Sequence, residues 1–213
     1  MKKYSKNQLE RYPIYLKYLK ELYEKGEENI SSPRMGHDLG YSEEQIRKDL
    51  QAVCNQAGKP KKGREISQLI ETLESFLGYK AATSAILIGT GHLGKALLNY
   101  SHFGEMGLTI TAGFDNDPEK IGKEIGGKPI YALKDLLPIM QNLKARIAII
   151  TVPVSDAQDV TNLAIKSGVL GIWNFAPVHL AVPEGIIVEN VNLASSLAVL
   201  SNRINEQLLL KEE

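Results

Sequence analysis

The 213-residue chain has room for one ordinary domain and a smaller one beside it. Its 25 Lys and Arg balance 25 Asp and Glu, a net charge of zero that excludes a strongly basic or acidic chain overall. No apolar run is long enough to cross a bilayer, and Met1-Lys2-Lys3 leads into polar sequence rather than a signal-peptide core, so no membrane contact and a cytoplasmic location are expected; the lone Cys54 excludes an intramolecular disulfide and argues against a cysteine metal cage.

The charge is unevenly spread. Residues 1–80 carry 15 Lys and Arg against 12 Asp and Glu, and residues 81–213 carry 10 against 13. Leu9, Tyr12, Leu16, Leu19 and Leu22 recur at helical spacing and predict a first helix over 9–25, with Pro13 in or near its first turn. Ser32-Pro33 predicts a second helix capped by Ser32 and ended by Gly40. After Gly40-Tyr41-Ser42, a capping box of Ser42 and Gln45 starts a third helix from Glu43 to about Gln56. Two helices joined by so short a turn fit a helix-turn-helix, with Gln45, Arg47, Lys48 and Gln51 as candidate DNA contacts on its second member. Lys59, Lys61, Lys62 and Arg64 then form a basic wing suited to phosphates or a narrow minor groove. A plain helical bundle with a solvated charged loop is the alternative. A further helix, 67–77, ends this domain near residue 80.

Ala85 to Ile88 form an apolar strand that feeds into Gly89-Thr90-Gly91-His92-Leu93-Gly94, a G-x-G-x-x-G opening a helix through Tyr100. A second apolar run, Leu108 to Phe114, ends on Asp115. In this β-α-β setting Gly89 permits the tight turn, Gly91 lets backbone amides approach a pyrophosphate, and Gly94 lets helix and strand pack closely. Asp115 stands where a carboxylate accepts from an adenosine ribose and repels a 2′-phosphate, and Asn116 follows it rather than a basic residue, so NAD(H) is favoured over NADP(H). A CoA-binding variant of the same fold is the alternative.

Alternation continues with a strand near Ile130, a helix over 133–143, a strand over 146–152, a helix over 154–167 and strands over 169–174 and 186–191. Ligands of open α/β sheets bind outside the carboxyl ends of strands, so Thr151, Val152, Pro153, Asn174, Phe175 and Ala176 are expected to line the nicotinamide end. Residues 192–210 predict a terminal helix whose Leu193, Leu197, Leu200, Ile204 and Leu208 must be buried somewhere.

Five segments, Gln45 to Leu50, Gly89 to Gly94, Phe114 to Gly122, Thr151 to Pro153 and Trp173 to Val178, resemble in order the Rex family of redox-sensing transcriptional repressors. The resemblance covers nearly the whole chain. It implies an N-terminal all-α winged-helix domain (1–80), an α/β Rossmann domain with a mostly parallel sheet (81–191), and a C-terminal domain-swapped helix (192–213) exchanged in a homodimer. It further implies operator DNA as partner, NAD(H) as cofactor and signal, and a tyrosine at Tyr100 that responds to the oxidation state of the nicotinamide. The family's usual arginine on the first helix and aspartate at the start of the last are Lys17 and Asn192 here, a pair unable to form a salt bridge, and the wing departs from the family's Gly-rich pattern.

A dehydrogenase needs a positioned acid or base. Of the four histidines only His179 could serve, and no substrate domain is left over, so a non-enzymatic regulator is expected. A small oxidoreductase and a nucleotide- or CoA-binding scaffold that touches no DNA are the other readings.

Overall fold

The computed structural model describes residues 4–54 and 63–212, and the chain divides between Ala81 and Ala82 into two units. In the first, α1 (Lys6–Glu24) begins earlier than the apolar spacing implies, because Ser5 accepts a hydrogen bond from the Gln8 amide and caps it. Pro13 therefore lies inside the helix rather than in its first turn. The hydrogen bond it forfeits is outweighed by the burial of Tyr12, Tyr15, Leu16, Leu19 and Leu22 along one face.

α2 (Ser32–Leu39) is capped by Ser31 rather than Ser32 and stops at Gly40. α3 (Glu43–Val53) follows, with Ser42 accepting from the Gln45 amide. Two short strands, β1 (Asn29–Ile30) and β2 (Arg64–Glu65), pair antiparallel and add a small ribbon to the helices of this unit. α4 (Ile66–Leu77) packs on α1. Of the expected wing, Lys59, Lys61 and Lys62 lie outside the described residues; α3 itself stops at Val53, short of the expected end near Gln56, because the backbone turns extended at Cys54.

A buried carboxylate fixes α3 against α1. Asp49 is 1% exposed; its two oxygens take the Arg11 guanidinium at 2.6 and 2.9 Å, the Tyr15 hydroxyl at 2.8 Å and the Gln45 amide at 2.9 Å. The Tyr12 hydroxyl donates to the Asp49 carbonyl at 3.0 Å. Hydrogen bonding to Asp49 raises the Arg11 pKa further above its ordinary value, although burial opposes this, while burial pushes Tyr12 up to about 12.

The second unit is a seven-stranded sheet in the order β5-β6-β4-β3-β7-β8-β9. Its strands are β3 (Thr83–Ile88), β4 (Leu108–Asp115), β5 (Glu124–Ile125), β6 (Lys128–Ala132), β7 (Ile147–Ile150), β8 (Gly171–Asn174) and β9 (Ile187–Asn190). All pairings are parallel except β5 with β6, a hairpin across Gly126-Gly127. α5 (His92–Leu98) is shorter than expected and gives way to a 3-10 segment, Ser101–Met106. α6 (Leu136–Leu143) and α7 (Val154–Lys166) complete the crossovers. β3 is buried on both faces: Ile86 and Ile88 pack with Phe114, Met140 and Val160, and Ala85 and Leu87 with Leu98, Phe103 and Ile110. Outside β3, to either side, the chain runs to β4 and to β7, which makes the β3/β7 junction the point where the strand order reverses.

α8 (Leu193–Glu212) starts with Asn192 accepting from the Ser195 amide at 3.0 Å. It leaves Leu193, Leu197, Leu200, Ile204 and Leu208 exposed in the single chain, Leu193 by 72%.

Replacing Asp49 with Ala strands Arg11 and Tyr15 without their acceptor and should destabilise the N-terminal unit by about 3 kcal/mol. Urea unfolding followed through the near-ultraviolet signal of its tyrosines checks this; an unshifted midpoint would show that the Arg11–Asp49 pair adds nothing.

Candidate functional site

The glycine turn lies at the reversal point and is held from both neighbouring strands. Gly89 has φ +96°, and a Cβ there would stand 2.7 Å from Val152 Cγ1 and 2.9 Å from the Thr151 backbone. The Thr151 hydroxyl donates to the Gly89 carbonyl at 2.6 Å, and the Gly89 amide donates to the Phe114 carbonyl at 2.8 Å. Gly94 is closed to any side chain, because a Cβ would fall 2.1 Å from the Gly89 oxygen. Gly91 differs: no protein atom comes within 4 Å of where its Cβ would stand. Three glycines thus divide into two that let backbone pack on backbone and one that faces open space, the arrangement a pyrophosphate needs. His92 and Leu93 lie exposed on the first turn of α5.

Asp115 ends β4 beside this turn. Its Oδ2 accepts from the Thr90 amide at 2.7 Å and the Thr90 hydroxyl at 2.6 Å, with Lys120 Nζ at 3.2 Å. Among the described residues Oδ1 carries one bond, from the Asp117 amide at 2.9 Å, which leaves acceptor capacity for a hydroxyl. Burial would raise the Asp115 carboxyl, but the hydrogen bonds from Thr90, Asp117 and Lys120 outweigh it and hold it at about 2. Lys120 was not singled out in the sequence. Its signal is the spacing Asp115-x-Asp117-x-x-Lys120, two successive Asp-led turns that fold the lysine back.

At the other strand ends, Thr151, Val152 and Phe175 sit level with the turn, since the Thr151 amide donates to Ile88 and the Phe175 amide to Ile150. Pro153 caps α7 and is exposed. Asn174 is fully buried, and its amide donates to the Ala176 and Val178 carbonyls and to Asn190 Oδ1 while its oxygen accepts from the Ala176 amide. Its donors all go into shaping the turn after β8, so Ala176 and Asn174 frame this end. A cleft of about 690 Å³ opens there, lined by Phe175, Pro177, His179, Asn192 and Leu193 among others. Tyr100 is half exposed and joins a run of rings: Tyr100 to Phe103 at 4.9 Å, Phe103 to Trp173 at 5.7 Å and Trp173 to Phe175 at 5.1 Å between centroids.

In the N-terminal unit, Arg47, Lys48 and Gln51 share the exposed face of α3 with Glu44, whereas Ile46, Asp49 and Leu50 turn inward. Lys48 pairs with Glu44 at 2.7 Å. Gln45 departs from the expectation: its side-chain amide points to Asp49 instead of completing the capping box. Arg64 lies on β2 and is partly buried.

Residues 80–178 match the family model "CoA binding domain", and residues 3–51 match "Putative DNA-binding protein N-terminus". A redox-sensing transcriptional repressor Rex of Bacteroides thetaiotaomicron is 41% identical over 92% of this chain and 89% of its own length. Two crystal structures of RSP, a Rex-family repressor, cover all of this chain: one in complex with β-NAD+ and operator DNA (TM-score 0.91, 32% identity, 97% of that chain) and one with β-NADH (TM-score 0.89, 31% identity, 99% of that chain).

Two outcomes follow from the geometry of the turn. Because Asp115 ionises more readily folded than unfolded, it stabilises the α/β unit fully above its ordinary value of 3.8, and that contribution is lost as pH falls toward about 2. The stability gap between the parent and Asp115→Asn should therefore close over that range in acid-titrated thermal melts; a gap independent of pH would refute the clamp. Gly94→Ala should lower the melting temperature, whereas Gly91→Ala should leave it unchanged.

Proposed function

The chain belongs to the Rex family of redox-sensing transcriptional repressors, and on that premise we propose that it binds operator DNA as a homodimer and lets go when NADH replaces NAD+ on the Gly89–Gly94 turn. The observation that carries this reading is the turn itself: Gly89 and Gly94 packed on backbone, Gly91 open, and an ionised Asp115 with a spare acceptor beside them. Gly91 would face the pyrophosphate, Asp115 Oδ1 an adenosine ribose hydroxyl, and Thr151, Val152, Pro153 and the Phe175-Ala176 turn the nicotinamide end. When bound, the dinucleotide supplies a ring whose charge and shape depend on its oxidation state. The Tyr100 ring, linked toward Phe175 by edge-to-face and tilted contacts through Phe103 and Trp173, is suited to respond to that difference.

A CoA-type ligand is the second reading, favoured by the match of residues 80–178. Against it stand the carboxylate at the end of β4 and the 41% identity to a relative named as redox-sensing over nearly the whole chain. The named regulators also give no support to a dehydrogenase, and His179 is exposed at the rim of the β8 cleft.

On the DNA side, α3 would enter the major groove with Arg47 and Gln51 foremost, Lys48 being shared with Glu44. Gln45 positions the helix through Asp49 rather than reading bases. Lys59, Lys61, Lys62 and Arg64 would lie on the backbone or minor groove. The exposed apolar stripe of α8 supports a dimer in which each subunit covers the other's helix. Almost complete release from DNA requires the two dimer states to differ about 10⁴-fold in NADH affinity, a ratio that two sites share.

The decisive experiment titrates NADH into a preformed complex of protein and AT-rich palindromic duplex, with NAD+ as competitor. NADH should dissociate the complex and NAD+ should restore it; DNA affinity indifferent to NADH would overturn the reading. Gly91→Ala should keep DNA binding and lose the NADH response. Arg47→Ala should weaken the gel shift and reduce its salt slope by about 1, with NADH binding intact.

A further inference from the structure

The structure brings to the ribose end of the turn a cation that the sequence places five residues away. Lys120 Nζ lies 3.2 Å from Asp115 Oδ2 and 3.2 Å from Asp117 Oδ2. Its side chain is only 26% exposed, and its backbone is fixed, since the Lys120 amide donates to the Asp117 carbonyl at 3.1 Å and the Glu119 amide to Asp117 Oδ1 at 3.0 Å. The turn thus sets the start of the side chain, and the two carboxylates hold the ammonium at the end of β4. It has three donors, and two point at carboxylates.

Resting on the dinucleotide reading above, we propose that Lys120 is a specificity-determining residue: a phosphate receptor held neutralised by Asp115, so that the pair, rather than Asp115 alone, decides whether a 2′-phosphate is rejected. With both carboxylates ionised, the Asp115–Asp117–Lys120 group carries one net negative charge and repels a phosphate dianion. With Asp115 made neutral, the same ammonium has lost one of its two anions and meets the phosphate with a free donor, a charge-assisted pairing. Lys120 also limits the penalty against a 2′-phosphate in the parent, because without it two uncompensated carboxylates would face that group.

Isothermal titration of the full-length protein with NADH and with NADPH tests this. Asp115→Asn should shift the NADPH-to-NADH affinity ratio toward NADPH by about tenfold or more. The double change Asp115→Asn with Lys120→Met should lose that gain, and Lys120→Met alone should widen the preference for NADH by about threefold. Equal NADPH affinity in the single and double Asp115 variants would overturn the proposal. Should Asp115→Asn fail to fold, Lys120→Met decides alone: an unchanged ratio refutes the role. A parent that binds no NADH at all removes the dinucleotide reading and this proposal together, whereas a parent that binds NADH while the variants leave the ratio flat removes only the role of Lys120.

Discussion

A carboxylate taken partly out of water has to be surrounded by donors, and the turn at the end of β3 is built on satisfying that demand at Asp115. Thr90 meets it with both its amide and its hydroxyl, which ties the second residue of the glycine motif to the end of β4. Thr151, at the end of β7, holds the Gly89 carbonyl from the other side. The turn is thereby clamped from both neighbours of β3, and the three glycines have little freedom left to choose their conformation. A binding loop fixed in this way loses little entropy when a ligand arrives. Asp115 is thus a structural anchor first; its proposed contact to a ribose uses what acceptor capacity remains on Oδ1.

The N-terminal unit repeats the device with a different carboxylate. In the sequence Asp49 directly follows Arg47 and Lys48, where its charge looks like that of a surface acid diluting the basic residues around it. In the structure it is withdrawn from that surface altogether, bonded to Arg11, Tyr15 and Gln45. The exposed side of α3 is left to Glu44, Arg47, Lys48 and Gln51. Withdrawing this acid leaves Arg47 and Lys48 facing solvent with the first-turn Glu43 and Glu44 the only other exposed charges on the described part of α3, and the bidentate pair to α1 fixes the helix rotation that presents them.

Much of this was legible in the sequence because it follows from periodicity and turn chemistry. The order of strands and helices from Thr83 onward, the stops at Gly40 and Gly78 and the G-x-G-x-x-G between a strand and a helix are local signals. Helix starts are hidden wherever the cap lies outside the apolar pattern: Ser5 opens α1 before any apolar repeat begins, and tertiary burial of Tyr12 and Tyr15 carries Pro13 inside it. The β5–β6 hairpin has a local signal in Gly126-Gly127, a Gly-Gly turn that lies just before the strand expected near Ile130. Partners far apart in the chain left no local trace. Nothing in the spacing of Arg11 and Asp49, or of Thr90 and Asp115, reveals that one holds the other, and Gln45 reads as half of a capping box until Asp49 is seen to claim its side chain.

Each unit closes its own core, Tyr12 to Leu73 in one and the two faces of the sheet in the other. On the proposed reading this constrains how a redox signal can travel. Packed interiors do not deform continuously, so a change at the nicotinamide end has to act on an element that is not already committed to a core. α8 is such an element: its apolar stripe is exposed in the single chain, and its cap, Asn192, lines the same cleft as Phe175. A turn after β8 that shifts against the start of α8 would therefore move the surface by which, on the proposed reading, a second subunit would be held, while the sheet and the helical unit keep their internal packing. With asparagine rather than a carboxylate at that start, the link on this reading would run through hydrogen bonding and apolar contact, and its strength should depend little on salt, unlike a contact to DNA.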